Sequence, residues 1–263
     1  MRPKSIHLEM ENISYKNWAK GIEKFIETNG DDAPYYEVEE SIVCSGWPDK
    51  YDENLARSII NFLNAWKCRL KKENAVIELE KKLKEINQKY KKLVGKVLES
   101  YIRGADESTD SIITDIFETL KETRIKLEGK KVTERKFGPT AASKIMHILN
   151  PHFFVMWDSN IRKAYNKTES SDDYLDFLNA MADVARKVIP YYSDLNNTYY
   201  QGKKTLSKLL DEYMYSKYAI VLPKKKEYLH TLHLENENNL IKILEREPFD
   251  EIASLIKIGR KSK

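Results

Sequence analysis

The chain has 263 residues, of which 41% are hydrophobic and 33% are charged, enough apolar material for one large domain or two small ones. Its formal net charge is only +4, so attraction to nucleic acid would have to come from local basic clusters rather than from a global field. The sequence has no run of 18 apolar residues and no charged-then-apolar leader, so we expect a cytoplasmic protein without a membrane span.

Composition favours helices over strands. Only 9 glycines and 8 prolines interrupt a chain rich in Leu, Ile, Lys and Glu, which predicts an all-α fold. The spacing of Cys and His residues does not match a known metal-binding motif. Cys44 and Cys68 lie far apart, and His230 and His233 form HTLH without the carboxylate of an HExxH motif. We therefore predict reduced thiols and no metal site.

The first 50 residues predict mixed structure. A helix is expected over 15–28, followed by the turn-rich sequence NGDDAP. The segment VEESIVCSGWP after it predicts a strand or an extended strap. A core helix is expected over 52–70, where apolar residues recur at helical spacing. These residues are Leu55, Ile59, Phe62, Leu63 and Trp66.

A heptad-like stripe runs from residue 76 to residue 97, where apolar residues alternate spacings of three and four. The pattern predicts a long helix that packs within its own domain. The alternative is a coiled-coil pairing with a second copy of the chain, and it stays open here. Further helices are predicted over 110–127, 174–188, 205–218 and 238–247.

The stretch KFGPTAASKIMHILNPHFFVMWDSNIRKAY, residues 136–165, is where we expect chemistry. Gly138 permits a tight turn, Pro139 suits the first turn of a helix, and small side chains follow at 140–143. These features predict a backbone cradle for an anion. An Asn-Pro pair ends this helix, and Asp158 occupies the N-cap position of the next one.

This stretch resembles the helix-hairpin-helix DNA glycosylases, the superfamily that includes endonuclease III. Its members carry a glycine-containing hairpin turn, a Thr-Ala helix start, an apolar helix, and a Val-Asp pair that opens a helix with a basic residue. The corresponding residues are Gly138, Thr140 with two alanines after it, Trp157-Asp158, and Arg162. The match covers about 30 of the 263 residues, and of the family's Leu-Pro-Gly-x-Gly hairpin only the second glycine is retained.

The resemblance implies a helical bundle of two lobes, with a helix-hairpin-helix element and a central cleft that holds Asp158. The chain would be one helical domain, with an N-terminal strap or lobe at 1–105, a hairpin-containing lobe at 106–220 and C-terminal helices at 221–263. Ionised Asp158 would stabilise the sugar cation and orient water as the glycosidic bond breaks. The hairpin would bind phosphate, and the DNA-binding residues would be Lys136, Gly138, Pro139, Thr140, Ala141, Arg162 and Lys163.

The resemblance also bears on strand cleavage. Family members that cut the backbone use a lysine two positions after the second hairpin glycine, and Thr140 occupies that position here. We therefore predict a monofunctional glycosylase that acts on a flipped base. Lys136 or Lys144 could substitute for the missing lysine if the backbone is cut, and Lys144 is the second candidate catalytic residue after Asp158. The candidate surfaces for the flipped base are Trp66, Phe154, Trp157 and Tyr165.

The expected partner is double-stranded DNA, bound by a monomer, or by a dimer, in the cytoplasm or at the nucleoid. No cofactor is expected apart from a monovalent or divalent cation at the hairpin. Oxidised, alkylated and phage-modified bases all stay open as substrates. Two alternatives also stay open: a nucleic-acid-binding protein in which Asp158 only caps a helix, and a regulatory protein that dimerises through residues 76–97.

Overall fold

The structure is a computed structural model that describes residues 13–29, 32–50, 53–70, 72–127 and 133–221. The chain through Ile220 forms one compact unit, to which the α-helices and strands named below belong, and a second unit begins at Val221. The helix predicted over 238–247 and the two histidines of HTLH lie outside the described residues, as do most of the predicted C-terminal helices.

Helices make up most of the described residues, which confirms the predicted all-α class. None of the helices described is both long and apolar enough to cross a membrane. The α-helices are α1 Tyr15–Asn29, α2 Ala33–Ser45, α3 Glu53–Ala65, α4 Lys72–Lys91, α5 Glu107–Lys121, α6 Gly138–Leu149, α7 Ser159–Ala164, α8 Ser171–Tyr200 and α9 Leu206–Tyr215. The remaining elements are a 3-10 turn at Leu98–Ser100, strands β1 Arg124–Leu127 and β2 Thr133–Lys136, and a π-helical turn at Ser216–Val221.

Helix α2 lies where the sequence predicted a strand or a strap. Pro34 occupies its first turn, where an N–H has no helical partner. Gly46 ends the helix with φ +74°, and its amide donates to the carbonyl of Val43 at 3.3 Å. Tyr35 and Val38 are buried on one face, so tertiary packing outweighs the weak helix propensity of the β-branched residues.

Helix α5 is shorter than predicted because the chain turns into a β-ribbon. The helix ends at Lys121, and β1 begins at Arg124. The two strands are antiparallel, with Arg124 opposite Lys136. Ile125 is buried while Arg124 and Lys126 are exposed, which is the alternation of a half-buried strand, although the sequence predicts the end of a helix here.

The heptad-like stripe lies inside the compact unit. Helix α4, which carries most of it, packs against α3, α5 and β1. The buried side chains of the stripe are Val76, Leu79, Leu83, Ile86, Tyr90 and Leu93. The prediction that this helix packs within its own domain is therefore confirmed, and the stripe is not available for a coiled coil with a second copy.

Helix α1 lies directly against α9. A Cβ atom added at Gly21 would stand 2.5 Å from Cδ2 of Tyr213, so only glycine permits this approach. Trp18 is fully buried, and its Nε1 donates to the carbonyl of Leu209 at 3.4 Å. Helix α9 begins at a cap in which Thr205 accepts an amide hydrogen bond. The close packing of α1 against α9 contributes to the burial of charged side chains on α9, which are Lys208, Asp211 and Glu212.

Candidate active site

The turn before α6 joins a strand to a helix. Phe137 donates its amide to the carbonyl of Thr123 at 2.9 Å, which fastens the end of the ribbon to the end of α5. Gly138 then adopts φ +76°, a conformation that favours glycine, and Pro139 follows in the first turn of α6. The predicted glycine turn and proline start are present, but the element before them is β2 rather than the first helix of a helix-hairpin-helix.

Helix α6 is the buried support of the site. The Ser143 hydroxyl accepts the amide N–H of Trp157 at 2.9 Å, and Nδ1 of His147 donates to the carbonyl of Phe154 at 2.6 Å. The Tyr35 hydroxyl then donates to Nε2 of the same imidazole at 3.3 Å. Burial lowers the pKa of His147 to about 3, so this side chain is a neutral structural imidazole. These bonds fix the extended segment that leads from α6 to α7.

Asp158 ends this segment and caps α7, as predicted. Its Oδ1 accepts the amide N–H of Asn160 at 2.7 Å and that of Ile161 at 2.9 Å. Both bonds use one oxygen, and among the described residues no donor is bonded to Oδ2. The side chain is partly exposed and lines a cavity. The cap therefore leaves one carboxylate oxygen able to meet a ligand.

The cavity that Asp158 lines, called the Asp158 cavity below, has a volume of about 650 Å³. This lies within the range of about 300 to 1,000 Å³ that is usual for small-ligand sites. It brings together side chains from α1 to α9, which are far apart in the sequence. The predicted site residues that line it are Trp66, Gly138, Pro139, Thr140, Ala141, Lys144 and Asp158.

Trp66 forms an aromatic wall of the cavity. Its ring is stacked on Phe25, with centroids 6.0 Å apart and planes at 14°, and Tyr215 meets it edge-on at 5.9 Å and 79°. Nζ of Lys144 lies 5.1 Å from the centroid of the Trp66 ring and donates to the Trp66 carbonyl at 3.2 Å. Burial, and after it the charge of Asp158, raises the pKa of Tyr215 and keeps its phenol protonated.

The loop beside this wall has a fixed conformation. Lys67 and Arg69 adopt φ +63° and +54°, which is uncommon for residues with a side chain. Asn64 spans the loop by accepting the amide of Leu70 at 2.6 Å and donating to its carbonyl at 3.0 Å. Arg135 of β2 donates to the carbonyl of Arg69 at 2.7 Å. The ribbon and α3 thus hold this edge of the cavity in place before any ligand arrives.

The predicted basic residues divide into three environments. Arg162 is 7% exposed and donates to Oγ1 of Thr140 at 3.1 Å and to a backbone carbonyl before α7. Its role is therefore to tie α7 to the Gly138 turn, and it does not line the Asp158 cavity as the resemblance implied for a DNA contact. Lys136 is paired with Glu122 away from the cavity. Lys163 is exposed on α7.

Three predicted base-contact aromatics are core residues instead. Trp157 and Phe154 are fully buried, and Trp157 is stacked on Phe177 with centroids 5.8 Å apart. The hydroxyls of Tyr165 and Tyr218 share a buried hydrogen bond of 2.8 Å. None of the three lines the Asp158 cavity. The apolar run before Asp158 lies between packed helices, so it contributes to the core and leaves Trp66 as the predicted aromatic at the site.

A second group of charged side chains adjoins the cavity. Asp32, which lines the cavity, lies 3.4 Å from Nζ of Lys204 and 3.0 Å from Nζ of Lys208. Lys204 also pairs with Glu212, and Lys208 lies 3.4 Å from the same carboxylate and 3.5 Å from Asp211. All are buried, the most exposed being Asp32 at 6%. This ionic cluster consists of Asp32, Lys204, Lys208, Asp211 and Glu212.

The ionic cluster has three carboxylates and two ammonium groups, so one negative charge is in excess. Although burial opposes it, Lys208 lowers the pKa of Asp32. Burial raises the pKa of Asp211 to about 7, although Lys208 opposes that shift. The charges of Lys144 and Asp158 also act on Asp211. The ionic cluster is therefore coupled electrostatically to the Asp158 cavity.

Sequence reasoning missed several residues of this region. Tyr215, Arg135 and Lys67 line the cavity but belong to elements that periodicity alone does not bring together. The burial of Lys204 and Lys208 was not predicted either, because lysines four residues apart usually lie on a solvated helix face. The sequence of α9 is that of an amphipathic helix with Lys208, Asp211 and Glu212 among its polar residues, so it carries no local signal that these charges are buried.

The part of the chain that the structure describes contains no group of three or more His, Cys, Asp or Glu side chains placed to hold a metal ion. Cys44 and Cys68 are free thiols, of which Cys44 is exposed, and burial raises the pKa of Cys68, which lines the cavity. No family model, no curated protein and no solved structure matches the chain.

Proposed function

We propose that the protein is a DNA base-excision enzyme, a monofunctional glycosylase that hydrolyses the N-glycosidic bond of a damaged or modified base in the Asp158 cavity. The observation that carries the proposal is the convergence on one cavity of a carboxylate with a spare oxygen and an aromatic wall, Asp158 and Trp66. The cavity volume suits a small planar ligand. The spacing between Gly138 and Asp158 that resembles the glycosylases adds support.

The fixed position of the Asp158 carboxylate determines its role in the reaction. A base must leave the duplex before its glycosidic bond can be reached, and the exposed part of the Trp66 side chain provides an apolar contact surface for it. The sugar acquires positive charge as the bond breaks, and a carboxylate held by two backbone amides stabilises that charge with little reorganisation. Water forms the new bond to C1′, the base leaves with the bonding electron pair, and one water proton passes to the base.

The rim of the cavity offers contacts for the phosphate backbone. The Gly138 turn opens α6, a helix of 12 residues whose first amides have no helical acceptor. Lys67 and Arg135 are exposed and line the same cavity, and Lys163 is exposed on α7. These cations supply the local positive charge that the low net charge of the chain does not. Binding is expected to weaken as salt is raised.

The test is base excision by the wild type and by Asp158→Asn on duplexes with oxidised, deaminated and alkylated bases, with alkali used to reveal abasic sites. Asparagine is as good a helix N-cap as aspartate, so the variant retains the fold but lacks the charge. We expect at least a hundredfold loss of excision. The matched control is Asp106→Asn, because Asp106 caps α5 in the same way but does not line the Asp158 cavity.

Excision that persists in Asp158→Asn would contradict the role of this carboxylate. A wild type that excises no base but binds duplex DNA would favour the second candidate, a nucleic-acid-binding protein without catalysis, for which the cap bonds of Asp158 are the supporting observation. Strand breaks before alkali would instead assign a Schiff-base step to Lys144, because Lys136 does not line the cavity. Absence of both excision and DNA binding would overturn the nucleic-acid proposal.

A further inference from the structure

Lys144 differs from the other two buried lysines of the described residues. Lys204 and Lys208 both lie within 4 Å of carboxylates of the ionic cluster. Lys144 is 6% exposed and lines the Asp158 cavity, but within the described part of the chain it has no carboxylate at ion-pair distance. Its one hydrogen bond there is to the backbone carbonyl of Trp66, at 3.2 Å.

An ammonium group has three N–H donors, so two donors of Lys144 are left for the cavity. Burying hydrogen-bond donors of a charged group without acceptors is costly, and the contact with the Trp66 ring compensates only in part. A ligand that brings oxygen or nitrogen lone pairs to this amine would supply the missing acceptors. The side chain therefore points to a ligand with acceptor atoms at the end of the cavity formed by α6 and Trp66.

The other charges of the cavity favour a neutral ligand over a cation at that end. The cations that line it are Lys67, Arg135 and Lys144. Two carboxylates line it as well, but Asp32 is already paired with lysines of the ionic cluster. A base that carries its own positive charge would lie close to the Lys144 ammonium in a partly desolvated site, where repulsion between like charges is strong.

From these contacts we infer that Lys144 is a specificity residue, which donates hydrogen bonds to a keto oxygen or ring nitrogen of the flipped base. The substrate class is then a neutral keto base, oxidised or deaminated, and not an N-alkylated cationic base. This inference rests on the proposed function. Of the oxidised, alkylated and phage-modified bases that the sequence left open, it excludes the alkylated bases that carry a positive charge. In this arrangement Asp158 acts on the sugar, and Lys144 binds the base.

The test measures binding with excision disabled. In the Asp158→Asn background, fluorescence anisotropy compares duplexes that contain 8-oxoguanine, hypoxanthine, 7-methylguanine on a 2′-fluoro sugar, or a tetrahydrofuran site without a base. We expect one of the two keto bases to bind at least tenfold more tightly than the tetrahydrofuran site, and 7-methylguanine to show no such preference. Adding Lys144→Met, which keeps the size of the aliphatic part of the side chain and removes the ammonium group, should reduce the tenfold ratio to about one.

Two further variants keep the test decisive. Lys187→Met removes an exposed lysine of α8 that does not line the cavity, and it should leave the ratio unchanged. Lys144→Gln keeps a neutral donor and should retain part of the preference, which also covers the case in which the methionine variant unfolds. A preference that survives Lys144→Met in a folded protein, or a preference for 7-methylguanine, would overturn the inference. Failure to bind any of the duplexes would instead count against the proposed function itself.

Discussion

The Asp158 cavity and the ionic cluster both hold carboxylates, but they hold them in opposite ways. Asp158 is partly exposed, and its oxygen Oδ1 is fixed by two backbone amides of α7. The carboxylates of the ionic cluster are buried, and their partners are the ammonium groups of two lysines and the hydroxyl of Tyr200. The first arrangement positions a charge where a ligand can reach it, whereas the second withdraws charges from solvent.

The two kinds of carboxylate should respond differently to substitution. A buried ion pair is weak evidence for stability, because desolvation offsets much of the attraction, yet removing one partner leaves a buried charge uncompensated. Backbone amides need no partner side chain, so a carboxylate that they hold keeps its second oxygen for a substrate. We therefore expect changes in the ionic cluster to affect folding first, and changes at Asp158 to affect chemistry first.

The largest effect on stability is expected for Lys208→Met. The substitution keeps the size of the aliphatic part of a fully buried side chain but leaves Asp32 and Glu212 with one lysine between them. Breaking such a buried pair costs roughly 3–5 kcal/mol of unfolding free energy. Urea unfolding followed by circular dichroism measures the loss. The control Lys24→Met breaks the exposed pair with Glu27 and should change little. Equal effects of the two substitutions would contradict a stabilising role for the buried pair.

A pH-dependent effect is expected for Asp211→Asn. The pKa of Asp211 is raised to about 7 in the folded protein, from an ordinary value of 3.8, so the folded state binds a proton that the unfolded state has lost. Its contribution to stability is fully present below about pH 4 and is lost as the pH rises through about 7. The asparagine variant should therefore gain stability relative to the wild type as the pH is raised between these values.

The readout for Asp211 is the difference between the two unfolding free energies, measured from pH 4 to pH 8. A difference is needed because His147 acts in the opposite direction. Its pKa is lowered to about 3, so its contribution is lost as the pH falls below its ordinary value of 6.5. Since both proteins retain His147, its effect cancels. A difference that does not change with pH would show that Asp211 titrates near its ordinary value.

The smallest effect on stability is expected for Asp158→Ala. Loss of an N-cap costs about 1 kcal/mol, and α7 has only six residues. Thermal unfolding of this variant is best compared with Asp106→Ala, which removes the cap of α5. If Asp158→Ala lowers stability as much as Lys208→Met does, Asp158 belongs with the structural carboxylates, and the contrast between the two regions fails.

Much of the fold could be predicted from periodicity, because burial of one helix face leaves a pattern in the sequence. The stripe on α4 and the core face of α3 are examples, with Leu83 and Ile59 both fully buried. Helix α2 and the β-ribbon were missed for the opposite reason. Their structure depends on what covers them: Val38 is buried in a helix and Ile125 in a strand, and no local signal separates the two cases.

The site could be predicted in part. The glycine turn at Gly138 and the cap at Asp158 have local signatures, and the structure contains both. The convergence of Trp66, Lys144 and Tyr215 depends on the packing of α3, α6 and α9, which are not adjacent in the sequence. For the same reason Arg162 fits the spacing of a DNA contact but is used to hold the turn in place.

The Trp66 ring contacts both the Asp158 cavity and the ionic cluster, and this constrains the evolution of the sequence at that position. One neighbour of the ring is Lys144 of the Asp158 cavity, and another is Lys208 of the ionic cluster, whose Nζ lies 4.9 Å from the ring centroid. A substitution at Trp66 therefore alters ligand selection and folding together, so selection cannot adjust one without the other. Lys144 contacts the ring from the side of the Asp158 cavity and acts on the ionic cluster through its charge at Asp211, so new substrate preferences would arise more easily there than at Trp66.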